Sequence, residues 1–191
     1  MLKGNKIDLI PATLDDRRNV YDWCFHCETS KSHAGADYPD IQIPTYEEFL
    51  DDYVEYFFTG AEPAKGRGFM IVHDSEVVGF ISYCSFHLKP QIAELDIWLN
   101  SEAHCGKGFG TEAITLLGDE LNQTLDIHKL IMAPSVKNVR AIQSYKKAGF
   151  VESDIPMCDY LLDEYVSMYG EGDYGIDGTM VLVKSFMRYE L

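Results

Sequence analysis

Polar and apolar residues alternate from Ala93 to Leu99, which is the period of a β-strand. That alternation puts Glu94, Asp96 and Trp98 on one face and Leu95, Ile97 and Leu99 on the other. From Phe109 the period changes. Phe109, Ala113, Ile114, Leu116, Leu117 and Leu121 recur at the spacing of an amphipathic helix. Lys129 to Ala133 is a short run of the kind found in a buried strand. Ala141, Ile142, Tyr145 and Ala148 then share a second helical face, with Asn138 placed to cap the helix and Gly149 to end it. Residues 93–150 therefore read strand, turn, helix, strand, helix.

The flanking chain gives weaker signals. Ile7 to Thr13 predicts a first strand, and Thr13 followed by Leu14-Asp15-Asp16 predicts a helix start, with the helix running to about Cys27. Residues 28–44 carry Ser30, Ser32, Gly35, Pro39 and Pro44 and read as a loop. Thr45-Tyr46-Glu47-Glu48 is a capping box before a second helix with the aromatic stripe Phe49, Tyr53, Tyr56 and Phe57. Gly60 to Gly68 is a turn. Phe69–His73 and Val77–Tyr83 predict a hairpin around Asp74-Ser75-Glu76. After Phe150, strand propensity returns only at Thr179–Lys184; Leu161–Tyr165 predicts a short helix between them. This succession indicates an α/β (α+β) domain with a mixed, mostly antiparallel twisted sheet of about six or seven strands and about four helices. There is no internal repeat.

At 191 residues the chain reads as one domain spanning 1–191. No apolar run reaches membrane-spanning length, and Met1 to Lys6 has no apolar h-region, so a cytoplasmic protein is expected. The net charge of −15 argues against nucleic acid and anionic membranes as partners and favours a cationic one. Its distribution is uneven. Lys129, Lys137, Arg140, Lys146 and Lys147 lie between Ile127 and Val151 with no acid among them. From Glu152 to Met180 there are acids, Asp154 included, and no Lys or Arg. A basic stretch for an anionic ligand beside an acidic one for a cationic ligand fits this pattern. The five cysteines are not a disulfide framework. Cys24-x-x-Cys27 lacks a second ligand pair, His33 being its one neighbour of the right type, so no metal is expected.

Gly106, Gly108 and Gly110 stand at alternate positions just before a helix. Glycine permits positive φ and close approach, and the helix start adds unpaired N–H groups and the positive end of its dipole. The combination suits a phosphate or pyrophosphate. It is not a P-loop, since Thr111-Glu112 follows Gly110 where Lys-Ser/Thr is required. The glycine spacing is not that of a Rossmann fingerprint either.

Gly106-Lys107-Gly108-Phe109-Gly110-Thr111, followed by Asn138-x-x-Ala141-x-x-x-Tyr145-x-x-x-Gly149-Phe150, resembles the acetyl-CoA site of the GNAT superfamily of N-acetyltransferases. Within it the chain is most similar to aminoglycoside 6′-N-acetyltransferases, through Asp96 on the preceding strand, Gly-Lys-Gly-x-Gly-Thr, and Pro134-Ser135 before Asn138-Val139-Arg140-Ala141-Ile142. Cys105 stands where that superfamily usually has Arg or Gln. The resemblance implies the GNAT fold and acetyl-CoA as cosubstrate, held by Cys105, Gly106, Lys107, Gly108, Phe109, Gly110 and Thr111. Asn138 and Ala141 are implied along the pantetheine arm. Lys107, Arg140 and Lys146 add charge near the phosphates.

Acetyl transfer to an amine also needs a neutral amine, oxyanion donors and a proton for the departing thiolate. Asp96, or else Glu94, is the candidate base. Trp98 and Leu99 are candidate oxyanion donors if the strand bulges. By resemblance Tyr145 lies beside the CoA sulfur. Candidate acceptor contacts are Trp23, Tyr38, Glu94, Asp96 and Asp154, with Asp37 and Asp40 near Tyr38. The expected reaction is 6′-N-acetylation of an aminoglycoside, hence antibiotic resistance. The alternatives are acetylation of a protein N-terminus, a lysine or a polyamine, and a non-catalytic acyl-CoA-binding regulator. The chain is expected to be a monomer or homodimer.

Overall fold

The computed structural model describes residues 1–30, 43–169 and 178–186. Eight strands form one sheet: β1 (Leu2–Lys3), β2 (Asp8–Pro11), β3 (Gly66–His73), β4 (Glu76–Cys84), β5 (Ile92–Leu99), β6 (Lys129–Met132), β7 (Val151–Glu152) and β8 (Leu182–Ser185), in the order β1-β2-β3-β4-β5-β6-β8-β7. The helices are α1 (Arg17–Phe25), α2 (Tyr46–Asp52), α3 (Tyr56–Thr59), α4 (Phe109–Thr124), α5 (Val139–Lys147) and α6 (Val166–Tyr169). The sheet is thus slightly larger than the pattern predicts. The two additions, β1 and β7, are two-residue strands at its edges, too short to show a period. No helix among the described residues is long and apolar enough to cross a membrane.

Local signals set most boundaries. Thr13 and Asp16 form a capping box around a 3-10 turn, Leu14–Asp16, which runs into α1. Thr45 and Glu48 cap α2 in the same way. The aromatic stripe does not stay on one helix: α2 stops at Tyr53, and Tyr56–Thr59 forms a separate turn of helix. The β3–β4 hairpin turns through Asp74 and Ser75, both at positive φ (46° and 69°), the backbone of a tight two-residue connection.

The sheet carries a different core on each face. On one, Ala93, Leu95 and Ile97 of β5 pack against Phe109, Ala113, Ile114, Leu117 and Leu121 of α4 and Ile142 and Tyr145 of α5. Each fully buried Leu, Ile or Phe there contributes about 1.5–3 kcal/mol. On the other face, Phe80 and Trp98 meet Val20, Tyr21 and Cys24 of α1, Phe49 of α2 and Phe57 and Phe58 of α3. A third cluster extends this layer with Leu88, Ile131, Met157, Tyr160, Leu161 and Val183.

Every neighbouring pair of strands is antiparallel except β5–β6. That pair matches only at Ile92↔Lys129, Ala93↔Leu130 and Glu94↔Ile131. Beyond this the strands diverge. The end of β5 stays with β4 as far as Gly79↔Leu99. The chain after β6 follows the β8 side: Pro134 has no N–H to give to a ladder, its carbonyl accepts from Met180 N–H at 2.9 Å, and Ser135 bridges Thr179. The result is a wedge-shaped gap in the sheet beside Leu95–Leu99.

Candidate active site

The gap opens into a cleft of about 270 Å³ lined by the end of β5, the glycine turn, the first turn of α4 and one side of α5. At its mouth, Gly106 and Gly108 adopt positive φ (74° and 89°), and Gly108 is the N-cap of α4. The N–H groups of Gly106, Lys107, Gly108, Phe109, Gly110 and Thr111 have no acceptor among the described residues. They form an anion cradle, reinforced by the helix dipole. Cys105 does not extend it, because its N–H donates to Glu102 O at 3.1 Å, and burial pushes its thiol pKa up. Gly110 is helical and serves differently: a Cβ there would sit 3.7 Å from Ile97 and 3.8 Å from Ser144, on the cleft floor.

The cations are arranged differently from the expectation. Arg140 and Lys147 line the cleft, whereas Lys146 points to Glu152 at 3.7 Å. Lys6, from the β1–β2 turn, reaches the glycine turn and donates to Lys107 O at 3.0 Å. Arg140 holds Glu102 through both carboxylate oxygens, which lowers the Glu102 pKa. Glu28 accepts the N–H of Glu102 at 2.7 Å, so the segment after α1 fixes the turn that presents the glycines.

Along β5, Asn100 N–H donates to Val78 O at 3.0 Å. By the alternation of an antiparallel ladder, the main-chain groups of Glu94, Asp96 and Trp98 then face β4, and those of Leu95, Ile97 and Leu99 face the gap. The register between β4 and β5 is unbroken. The bulge expected near Trp98 is therefore absent, and the N–H groups offered to the cleft belong to Ile97 and Leu99, not Trp98. Thr29 donates its hydroxyl to Leu99 O, tying this strand end to the segment after α1. On the far wall, Asn138 Oδ1 accepts Ala141 N–H at 3.2 Å, a helix cap that leaves the Asn138 amide N–H groups for a ligand. Ser144 and Thr111 hydroxyls, 2.9 Å apart, join α5 to α4.

Asp96 lies on the opposite face. Tyr53 donates its hydroxyl to Asp96 Oδ2 at 2.6 Å and stacks on Phe49 at 4.8 Å between ring centres. Tyr53 is on the Asp96 face, and Tyr145 is buried on the α4–α5 face. Burial first, and the Asp96 charge second, push the pKa of each phenol well above its ordinary value. Glu94 Oε2 accepts from His87 Nε2 at 3.0 Å. Phe86, His87, Tyr165 and Tyr169 form an aromatic cluster beside it, with ring centres 4.8–6.4 Å apart.

The structure thus brings together Tyr145, Leu99, Asn138, Ala141 and the glycine turn along the cleft, and places Asp96 on the other face of β5 beside Tyr53. Trp23 packs on the Asp96 face against the aromatic core. Asp154 is exposed in the turn after β7, three strand positions from β5, and is not brought to the cleft. Tyr38, with Asp37 and Asp40, lies outside the described residues. Sequence reasoning missed Thr29, Ile97, His87 and Lys6, and Tyr53 as the partner of Asp96. None of these sits in a motif.

A model of the acetyltransferase (GNAT) domain matches residues 6–151. The ribosomal-protein-serine acetyltransferase of Escherichia coli (strain K12) is 28% identical over 104 residues, 53% of this chain and 58% of that protein. The aminoglycoside N(6′)-acetyltransferase type 1 of Klebsiella pneumoniae is 36% identical over 61 residues, 32% of this chain and 30% of that one. The chain thus spans less than two thirds of these relatives. The spermidine N-acetyltransferase of Vibrio cholerae, solved with CoA and spermine, shares the fold at a TM-score of 0.67 and 17% identity, over 95% of this chain and 96% of the other.

Proposed function

Because the chain belongs to the acetyltransferase (GNAT) domain family, we propose that it transfers an acetyl group from acetyl-CoA to a primary amine of a small cationic acceptor, an aminoglycoside in the first instance. The observation that carries this reading is the gap beside Leu95–Leu99, with an anion cradle at one end, Tyr145 on its wall and Asp96, held by Tyr53, on the other face of the same strand.

The pyrophosphate of acetyl-CoA sits on the N–H groups of Gly106 to Thr111, with Lys6 and Arg140 nearby. The pantetheine arm follows β5, meeting the Ile97 and Leu99 main chain, Asn138 and Ala141. The thioester then lies in the gap, and the amine approaches from the Asp96 face. Asp96 fixes the ammonium and takes its proton, directly or through water. The amine nitrogen attacks the carbonyl carbon, the carbon–sulfur bond breaks, and main-chain N–H groups of β5 steady the oxyanion. Tyr145 donates a hydrogen bond to the departing sulfur. Its raised pKa makes outright proton transfer to a thiolate, of ordinary pKa about 8.5, uphill. The proton that ends on sulfur is therefore the one the amine released, relayed past Asp96. Glu94 and the rings of Phe86, Tyr165 and Tyr169 offer a second anchor for a cation.

The test is thiol release from acetyl-CoA against aminoglycosides, polyamines and peptides with free N-termini. Turnover with an aminoglycoside supports the reading. Turnover with a polyamine or peptide alone moves the acceptor to that class, and no thiol release with any amine overturns the enzymatic reading.

A further inference from the structure

Cys84 and Glu94 are paired across β4 and β5, so their side chains project from the same face. His87 sits in the turn that follows β4. Its place is fixed by the backbone: Leu162 N–H donates to His87 O at 3.0 Å, and Leu88 N–H to Ser85 O at 3.2 Å. One ligand atom from each of Cys84, His87 and Glu94 lies within 4.8 Å of the other two. His87 is only 3% exposed. One of its ring nitrogens contacts Glu94, and the other, Nδ1, is buried with no hydrogen-bond partner. A buried polar atom left unsatisfied costs about 1–3 kcal/mol, and a cluster complete in itself would satisfy both nitrogens.

We propose that Cys84, His87 and Glu94 bind a divalent transition-metal ion, with zinc the best match. The donor set decides the class. One sulfur, one imidazole and one carboxylate favour a borderline-soft ion over magnesium or calcium, which require oxygen ligands. Zinc bonds of about 2.0–2.3 Å place tetrahedral ligands about 3.3–3.8 Å apart, so no pair has to close by more than roughly 1 Å, and the 3.0 Å contact between His87 and Glu94 opens slightly on binding. Three protein ligands leave a fourth position for water, the arrangement of an open site and not of a structural one. The site lies outside the cofactor cleft, on the Asp96 face, one strand repeat from Asp96. It departs from the sequence-based expectation of no metal, which considered only Cys24-x-x-Cys27. There Cys24 is buried and Cys27 is bonded to Trp23 O at 2.8 Å.

The test uses the full chain and Co²⁺ as the probe, with Zn²⁺ as competitor. One Co²⁺ per chain, with a thiolate-to-cobalt charge-transfer band that Zn²⁺ abolishes, is the expected result. Cys84→Ser removes the band, Glu94→Gln keeps it but weakens binding at least about tenfold, and Cys158→Ser changes neither. Melting curves establish that each variant is folded. Absence of stoichiometric Co²⁺ binding by the unaltered chain, or a band that survives Cys84→Ser, overturns the proposal.

Discussion

The two faces of the sheet beside β5 are built from different materials. On the α4–α5 face the candidate site is made of main chain: a run of unpaired N–H groups at a helix start and the exposed edge of a strand. On the other face it is made of side chains drawn from distant segments. Tyr53 comes from the end of α2, His87 from the turn after β4, and Tyr165 and Tyr169 from the segment after β7. Under the proposed function, the backbone device recognises what all donors of one kind share, a diphosphate. A side-chain device can be rebuilt without disturbing the fold, so under the same proposal it is where acceptor choice resides. Proteins similar to this chain carry names as different as ribosomal-protein-serine, spermidine and aminoglycoside acetyltransferase.

The largest expected effect tests the side-chain face. Asp96→Asn lowers kcat by about 10²–10⁴-fold, the range of a lost general base, and leaves the KM for acetyl-CoA unchanged. Steady-state kinetics with both substrates varied checks this; a change confined to the acetyl-CoA KM would place Asp96 on the wrong side of the comparison. A smaller and opposite effect comes from Gly108→Ala. A Cβ at φ 89° costs about 1–2 kcal/mol, so the turn relaxes and its N–H groups diverge. The KM for acetyl-CoA then rises about tenfold, with the amine KM unaltered.

The smallest effect engages both faces at once. Tyr53 and Tyr145 are buried, and their phenol pKa values are raised in the folded state. The folded protein therefore holds these protons where the unfolded chain gives them up. Stability is intact below about pH 10, the unfolded value, and declines above it by up to about 1.4 kcal/mol per pH unit for each phenol. Melting curves from pH 8 to 11 measure the decline. Tyr53→Phe and Tyr145→Phe should each reduce the decline, with Tyr56 and Tyr83, also raised, carrying the rest; a variant that leaves the decline unchanged would show that its phenol is not held protonated by burial.

What could be read from the sequence follows the same line. Residues 93–150 announce themselves because a strand period, a glycine turn and a helix period sit side by side, and the structure reproduces all of them as β5, α4, β6 and α5. Main-chain sites are local, so local patterns reveal them. The Tyr53–Asp96 contact spans 43 residues, and nothing in the spacing of either residue points to the other. Tyr53 looked like one more core aromatic because its ring is one, and only its hydroxyl belongs to the site. The edge strands β1 and β7 escaped because two residues carry no period, and Lys6 escaped because a lone cation before a strand looks like surface.

The proline that ends β6 has a kinetic consequence. By sending the chain toward β8 it leaves a gap beside β5, so under the proposed reaction a donor docked on one side and an acceptor on the other can meet there without either leaving first. Under the proposed reaction no acyl-enzyme has to form, and double-reciprocal plots should give intersecting rather than parallel lines.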